Sequence, residues 1–113
     1  MSLWRATMRE TLHLRRFLRT EDNGRREVYS EPEPYPCRWE PGARRVQTVD
    51  GRQVVAQGTL FTTAELSQDE LAKTLLWLPG DDPADYKRSR KALQAYPRKH
   101  LLTGTFDHSE VVL

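Results

Sequence analysis

Apolar and polar positions alternate with a period of two over much of this chain. Met8, Leu12 and Leu14 fall on one parity, while Arg9, Thr11, His13 and Arg15 fall on the other. That spacing predicts a half-buried strand over 8–18. A helix over 3–18 competes, since Leu, Arg and Met favour it, but the alternation prefers the strand. Parity breaks at Arg15-Arg16-Phe17-Leu18, where a bulge or a strand end is expected. Glu21-Asp22-Asn23-Gly24 is a turn, because Asn-Gly accepts the positive φ angles of a hairpin connection. The return strand runs through Arg26, Val28 and Tyr29. Three prolines in Glu31-Pro32-Glu33-Pro34-Tyr35-Pro36 remove ladder donors and predict an extended linker or sheet edge.

The clearest alternation follows. Cys37 and Trp39 point one way, Arg38 and Glu40 the other, and Pro41-Gly42 is expected to end the run. Val46–Val49, the Asp50-Gly51 turn and Gln53–Ala56 predict a second hairpin. Thr59–Thr63 continues or follows its return strand, with a bulge at Gly58. In the middle, Ser67-Gln68-Asp69-Glu70 has the form of a capping box and predicts a short helix over 68–73. Thr74–Leu78 suits a buried strand stopped by Pro79-Gly80. Asp82-Pro83-Ala84-Asp85 is a second helix start. The stretch 86–95 is then helical, or a strand through Ala92 and Leu93, with Pro97 as its stop. Asp107–Leu113 is β-prone to its last residue and is expected to lie paired in the sheet.

A chain of 113 residues, 37% hydrophobic and 30% charged, has the size of one domain with one modest core. We therefore expect a single domain over 1–113, with 64–98 as a mobile loop or helical insertion. The fold class is mainly β: a small β-barrel with hairpins and one or two short helices in 64–96. No apolar run approaches the ~20 residues that span a bilayer, and the first residues lack the apolar stretch of a signal peptide. A single cysteine excludes an internal disulfide and suits a reducing compartment.

The net charge of +2 hides signed blocks. Residues 1–20 carry +4, 21–40 carry −3, and 41–58 carry +2. Residues 59–86 carry −5, 87–100 carry +6 and 101–113 carry −2. Alternating blocks suit docking to copies of the chain or to neighbours with complementary faces. A general nucleic-acid binder would show a clearer basic excess. Two blocks supply the candidate contacts between subunits: Glu65, Asp69, Glu70, Asp81, Asp82 and Asp85 on the acidic side, and Lys87, Arg88, Arg90 and Lys91 on the basic side. Arg98 and Lys99 are the candidate DNA-proximal residues. Tyr86 and Tyr96 flank the basic run and could stack on bases, although plain solvation or pairing with the acidic block explains the same run.

Catalytic chemistry finds no pattern in the sequence. His13, His100 and His108 lack ligand spacing, and there is no Cys-x-x-Cys pair. Cys37 shares parity with Trp39 and belongs to the core rather than to a nucleophile site. Asp81, Asp82 and Asp85 lack the alternating oxygen ligands and central glycine of a calcium loop. Phosphate-cradling glycine motifs and a Gly-x-Ser-x-Gly elbow are absent as well. No enzyme activity and no cofactor is expected.

Taken in order, Pro36-Cys37-Arg38-Trp39-Glu40-Pro41, Arg44-Arg45-Val46, Asp50-Gly51, Gln53–Phe61 and the closing Asp107-His108-Ser109-Glu110-Val111-Val112-Leu113 resemble one family. It is the head-closure, or stopper, family of the head–tail connector in long-tailed bacteriophages and gene-transfer particles. The resemblance covers residues 28–63 and 105–113, and its motifs are structural. It implies a small β-barrel that forms a homo-oligomeric ring beneath the portal and adaptor proteins. Such a ring retains packaged double-stranded DNA in its channel and docks tail-completion or tail-tube proteins, without membrane or cofactor. The implied location is the virion neck, after synthesis in the host cytoplasm. Cys37, Trp39, Val46, Val54 and Val111 become implied core positions. The two helix starts within 64–98 depart from the family pattern. A small OB-like nucleic-acid-binding barrel, or another neck protein with an adaptor or tail-completion role, remains the alternative.

Overall fold

The structure is a computed structural model, and the description below covers residues 6–47, 51–66, 73–100 and 102–113. Seven antiparallel strands follow one another: β1 (Glu10–Glu21), β2 (Arg26–Tyr29), β3 (Glu33–Gln47), β4 (Gln53–Thr62), β5 (Thr74–Trp77), β6 (Gln94–Lys99) and β7 (Phe106–Val112). Their order in the sheet is β2-β1-β3-β4-β7-β6, with β5 also paired to β1.

β1 is a strand, as its alternation requires, and it works on both edges. On one side Glu10–Leu14 pair with Glu33–Cys37. On the other, His13–Arg16 pair with β5 and Phe17–Glu21 with β2, so two short strands share one edge in succession. The parity break is a register shift between Phe17 and Arg19. At the hairpin end, Asp22, Asn23 and Gly24 take φ of 54°, 57° and 84°, and Glu21 closes on Arg26. Asp and Asn tolerate the left-handed region better than other side chains and glycine has no Cβ to clash there, which is why this loop can hold three positive φ angles in a row.

The proline-rich stretch departs from the linker expectation. Pro34 and Pro36 lie inside β3, opposite His13 and Thr11. The carbonyl of Pro36 accepts from Thr63 N (3.3 Å) and Thr62 Oγ1 (2.9 Å), on the edge away from β1. Alternation puts the missing N–H of both prolines on that same edge, so the ladder to β1 loses nothing. Pro41-Gly42 does not end the strand either. β3 runs on to Gln47 across a register shift between Pro41 and Arg44, because a bulge absorbs the proline.

Gly58 is needed by its neighbours. A Cβ there would lie 2.5 Å from the Glu40 carbonyl oxygen, 2.6 Å from Trp39 Cη2 and 2.9 Å from Pro41 Cα. The Trp39 side chain crosses the strand over a residue that has none. The bulge expected here is present: the amides of Gln57 (2.5 Å) and Gly58 (3.4 Å) both reach the carbonyl of Leu113, whose own N–H returns to Gly58 O at 3.1 Å.

β5 is buried at all four positions, as its apolar composition demands. The predicted capping box and, Lys73 apart, the helix over 68–73 lie outside the described residues. The second helix start is corrected: no α-helix runs through the described part of 64–96. Asp82 and Asp85 instead make two successive turns, the second a three-residue 3-10 turn at Tyr86–Arg88, before β6 forms. β6 contains Pro97, opposite Ser109, rather than stopping before it; it ends the ladder, where a missing N–H is tolerated.

The small mainly β fold is as expected, but the ladder does not close into a continuous barrel. Among the described residues its ends meet at a single bridge, Leu76 with Arg90, through two hydrogen bonds of 2.9 and 2.7 Å. β5 is only four residues long and is followed by Pro79-Gly80, so no longer register can form there. Inside the curl lie Leu12, Leu14, Cys37, Leu60, Leu76 and Val111. Burying a leucine fully contributes roughly 1.5–3 kcal/mol. Trp39 packs half-buried against this cluster, whereas Val46 and Val54 do not join it. They face each other on a β3–β4 hairpin that extends past the ends of β6 and β7, and are only half-buried.

Candidate functional site

Where the acidic and basic blocks meet in sequence, Asp81, Asp82, Asp85, Lys87 and Arg88 share one loop, and the other described candidates lie elsewhere. Asp81 is half-buried, and Asp82 and Asp85 are exposed on the loop that follows β5. The Asp82 carboxylate accepts from Ala84 N at 2.9 Å, and that of Asp85 accepts from Lys87 N at 3.1 Å. Both carboxylates therefore hold their own loop while their outer lone pairs face solvent. Lys87 and Arg88 are exposed in the 3-10 turn immediately beyond. Glu65 is exposed after β4, away from this loop in sequence, and Asp69 and Glu70 lie outside the described residues.

The remaining basic positions are distributed over two places. Arg90 forms the Leu76 bridge with its backbone and donates from its guanidinium to Gln57 Oε1 on β4, with Lys91 exposed beside it. Arg98 donates to Glu110 across the β6–β7 pair (3.4 Å) and stacks over the Tyr96 ring at 5.4 Å. Lys99 is exposed at the end of β6. The two tyrosines proposed to stack on bases are thus partly engaged by the chain itself. Tyr96 donates to Gln94 Oε1 (2.8 Å), and Tyr86 stands edge-on to Trp77 with centroids 5.8 Å apart.

What pins the loop was not foreseen. Arg15, on β1, donates from Nε to Pro83 O and from Nη1 to Ser30 O, each at 3.2 Å. Its guanidinium lies 5.7 Å from the Trp77 ring and 5.1 Å from the Tyr86 ring. The Trp77 indole N–H donates to Asp85 O at 2.9 Å. One arginine so ties β1, β5, the 78–89 loop and the β2–β3 connection. Its partners Trp77, Pro83 and Tyr86 lie more than sixty residues away along the chain, so no local pattern singles it out. Tyr29 belongs to the same side of the molecule: it stacks on Phe17 at 5.9 Å and donates to Glu27 at 2.5 Å. Burial, then that bond and the Glu27 charge, push its hydroxyl up to about 12.

The sequence's other candidates also find places. Cys37 is fully buried, and burial with the nearby Glu10 charge pushes its thiol up to about 12, so it stays protonated at neutral pH. His108 is buried with Nδ1 2.7 Å from Asp107 Oδ2 and Nε2 3.9 Å from Glu110 Oε1. His13 stands on β1, and His100 follows β6, where its Nδ1 accepts from Leu102 N at 3.2 Å. Among the described residues, no three His, Cys, Asp or Glu side chains gather as a metal cluster, and no helix is long and apolar enough to cross a membrane.

A second feature lies on the far side of the Leu76–Arg90 bridge. β7 pairs with β4 only over Thr59–Thr62, and Leu113 closes on Gln57 and Gly58. Beyond it, Gln53–Ala56 pair with β3 alone, and a cavity of about 250 Å³ opens between this edge and Arg90–Leu93. Comparison with protein-family models, curated proteins and solved structures gives no match to this chain.

Proposed function

We propose that this chain is a structural component of the phage head–tail connector, a head-closure protein that works as one subunit of a ring below the portal and adaptor. In this reading the ring closes the filled head, retains double-stranded DNA and offers a seat to tail-completion or tail-tube proteins. Its work is done by packing against copies and neighbours, with no reaction, cofactor or membrane, at the neck of the virion.

The observation that carries the reading is how the resembling stretches come together. Cys37–Pro41 pair with Gly58–Thr62, and Thr59–Thr62 pair in turn with Ser109–Val112. Segments far apart in sequence therefore form one three-stranded unit, which is what a shared structural motif, rather than scattered coincidence, requires. The continuation of the β3–β4 hairpin, tied to the start of β6 by Gln94 Nε2 on Gln47 O (2.6 Å), exposes Arg44, Arg45 and Arg52 as a basic face for a neighbouring subunit.

Electron microscopy of the neck of the native particle, with the copy number of this chain measured by quantitative mass spectrometry, tests the proposal. A ring containing this chain directly below the portal and adaptor is the expected result. Absence of the chain from purified particles overturns it. So does tight, steeply salt-dependent DNA binding by the isolated chain outside any particle, which belongs to the OB-like alternative.

A further inference from the structure

We propose that His108 is a proton-operated switch on β7: its charge decides whether the Glu110 carboxylate serves Arg98 or the imidazole, and so whether Arg98 stands free on the sheet surface. The inference concerns the β6–β7 pair alone and does not depend on the neck assignment.

The register builds the cluster. Ala95 and Val111 lie opposite each other in the core, so alternation puts Tyr96 with Glu110, and Arg98 with His108, on the other face. Neighbouring residues of a regular strand point to opposite faces, which would turn Asp107 away from His108. Arg98 pairs with His108 but Lys99 with Phe106, and this register shift leaves Asp107 as the extra residue. Its Oδ2 lies 2.7 Å from His108 Nδ1, with the two side chains only 7% and 5% exposed. A carboxylate accepts and does not donate, so Nδ1 carries a hydrogen whether the ring is neutral or charged.

The switch is therefore at Nε2. In the neutral ring this atom presents a lone pair, and Glu110 Oε1 stands 3.9 Å away, beyond hydrogen-bond distance. Glu110 instead receives Arg98 Nη2 on its other oxygen, Oε2, at 3.4 Å. The imidazolium has a second donor at Nε2, and a charge-assisted bond of about 2.7–2.9 Å draws the carboxylate roughly 1 Å toward the ring. Arg98 already holds Glu110 at the long limit of a hydrogen bond, and its side chain is half exposed, so the same movement releases it. Tyr96, whose ring lies 5.4 Å from the Arg98 guanidinium, keeps the released cation on the surface of β6. Among the described residues, β4 brings only the Phe61 ring toward His108, at 6.3 Å. Behind it β3 brings Arg38, which lies over Phe61 at 5.0 Å and pairs with Glu40. Proton binding at one buried ring thus offers a cation to an anionic neighbour, and proton loss withdraws it.

The test follows the full chain by NMR from about pH 8.5 to about pH 5, the range in which imidazoles ordinarily change charge. Long-range 1H–15N correlation reads the charge of the His108 ring. The rate of rotation about the Arg98 Nε–Cζ bond, slow while the guanidinium is paired, reads its release. That rate should rise at least threefold with the same midpoint as the His108 transition. His108→Gln should leave it flat across the range. Coupling is reciprocal, so Arg98→Gln should move the His108 transition to higher pH and Glu110→Gln to lower pH, each by about half a pH unit or more. Both variants change partly exposed side chains and carry the test should His108→Gln misfold. A His108 ring that keeps one charge throughout, an Arg98 rate that stays flat while the ring titrates, or an Arg98 response that survives in His108→Gln overturns the proposal. A His108 transition unmoved by both Arg98→Gln and Glu110→Gln overturns it equally.

Discussion

Adding a single methyl group at Gly58 tests whether the crossing of Trp39 over β4 is real. Gly58→Ala places a carbon 2.5 Å from Glu40 O, 2.6 Å from Trp39 Cη2 and 2.9 Å from Pro41 Cα. Two of these three neighbours are backbone atoms of the paired strand and cannot swing aside. Overpacking of this kind costs about 1–3 kcal/mol, while restricting the unfolded chain returns about 0.4–1 kcal/mol. The net expectation is about 1–2 kcal/mol of destabilisation, or a fall in Tm of about 5–10 °C for a domain of this size. Gly42→Ala is the matched control, because its added carbon meets nothing within 4 Å and its φ is not positive. It should be neutral or slightly stabilising. In a Trp39→Leu background the cost of Gly58→Ala should shrink without vanishing, since the Glu40 and Pro41 contacts remain. Urea melts followed by circular dichroism, with thermal melts alongside, give all the required differences. Equal stability of Gly58→Ala and the parent chain would refute the packing argument, as would an equal loss in the Gly42 control.

Further outcomes follow from half-buried Arg15 and buried Cys37. Arg15→Lys keeps the charge but loses the fork that reaches both Pro83 O and Ser30 O. It should cost roughly 2 kcal/mol and raise the rate of limited proteolysis within 78–89 several-fold; an unchanged cleavage rate would show that the loop is held otherwise. The Cys37 thiol, raised from 9.0 to about 12, stays protonated in the folded chain while the unfolded chain ionises. Its contribution to stability is therefore complete below pH 9 and is lost as pH climbs toward 12. Stability measured from pH 8 to 10.5 should fall less steeply in Cys37→Ala than in the parent, and native Cys37 should resist iodoacetamide until the chain unfolds.

Much of the sheet was legible because local physics wrote it. The alternation of Met8, Leu12 and Leu14 survives as a buried face, the Asp22-Asn23-Gly24 turn takes its positive φ angles, and Thr74–Trp77 is the buried strand its composition demanded. Errors clustered at prolines and at caps. Pro41 and Pro97 read as stops, and the stretch through Pro36 as an extended linker or sheet edge, yet each sits where its missing N–H costs no ladder bond or where a bulge takes up the mismatch. Asp82-Pro83 has a helix-start composition, but Arg15 and Trp77 hold Pro83 and Asp85 by their carbonyls and leave the chain in successive turns. The candidate surfaces were legible only as charge. Which cations are spent inside the chain, as Arg98 is on Glu110 and Arg90 on Gln57, and which stand exposed, as Lys91 does, depends on partners far away in sequence.

By itself the sequence determined the class of structure: a small, mainly β chain with its hairpin turns, its buried Cys37 and a β-prone final strand. Period-two alternation and turn chemistry act between near neighbours, so they can be read without a fold. Tertiary structure alone decided that the curl closes through one Leu76–Arg90 bridge instead of a full ladder. It decided that the 78–89 loop is clamped by Arg15, and that β3 meets β4 through a register shift between Pro41 and Arg44. Each of these is a question of how one segment lies against another. Register between distant strands is set by packing across the whole core, which no local pattern carries.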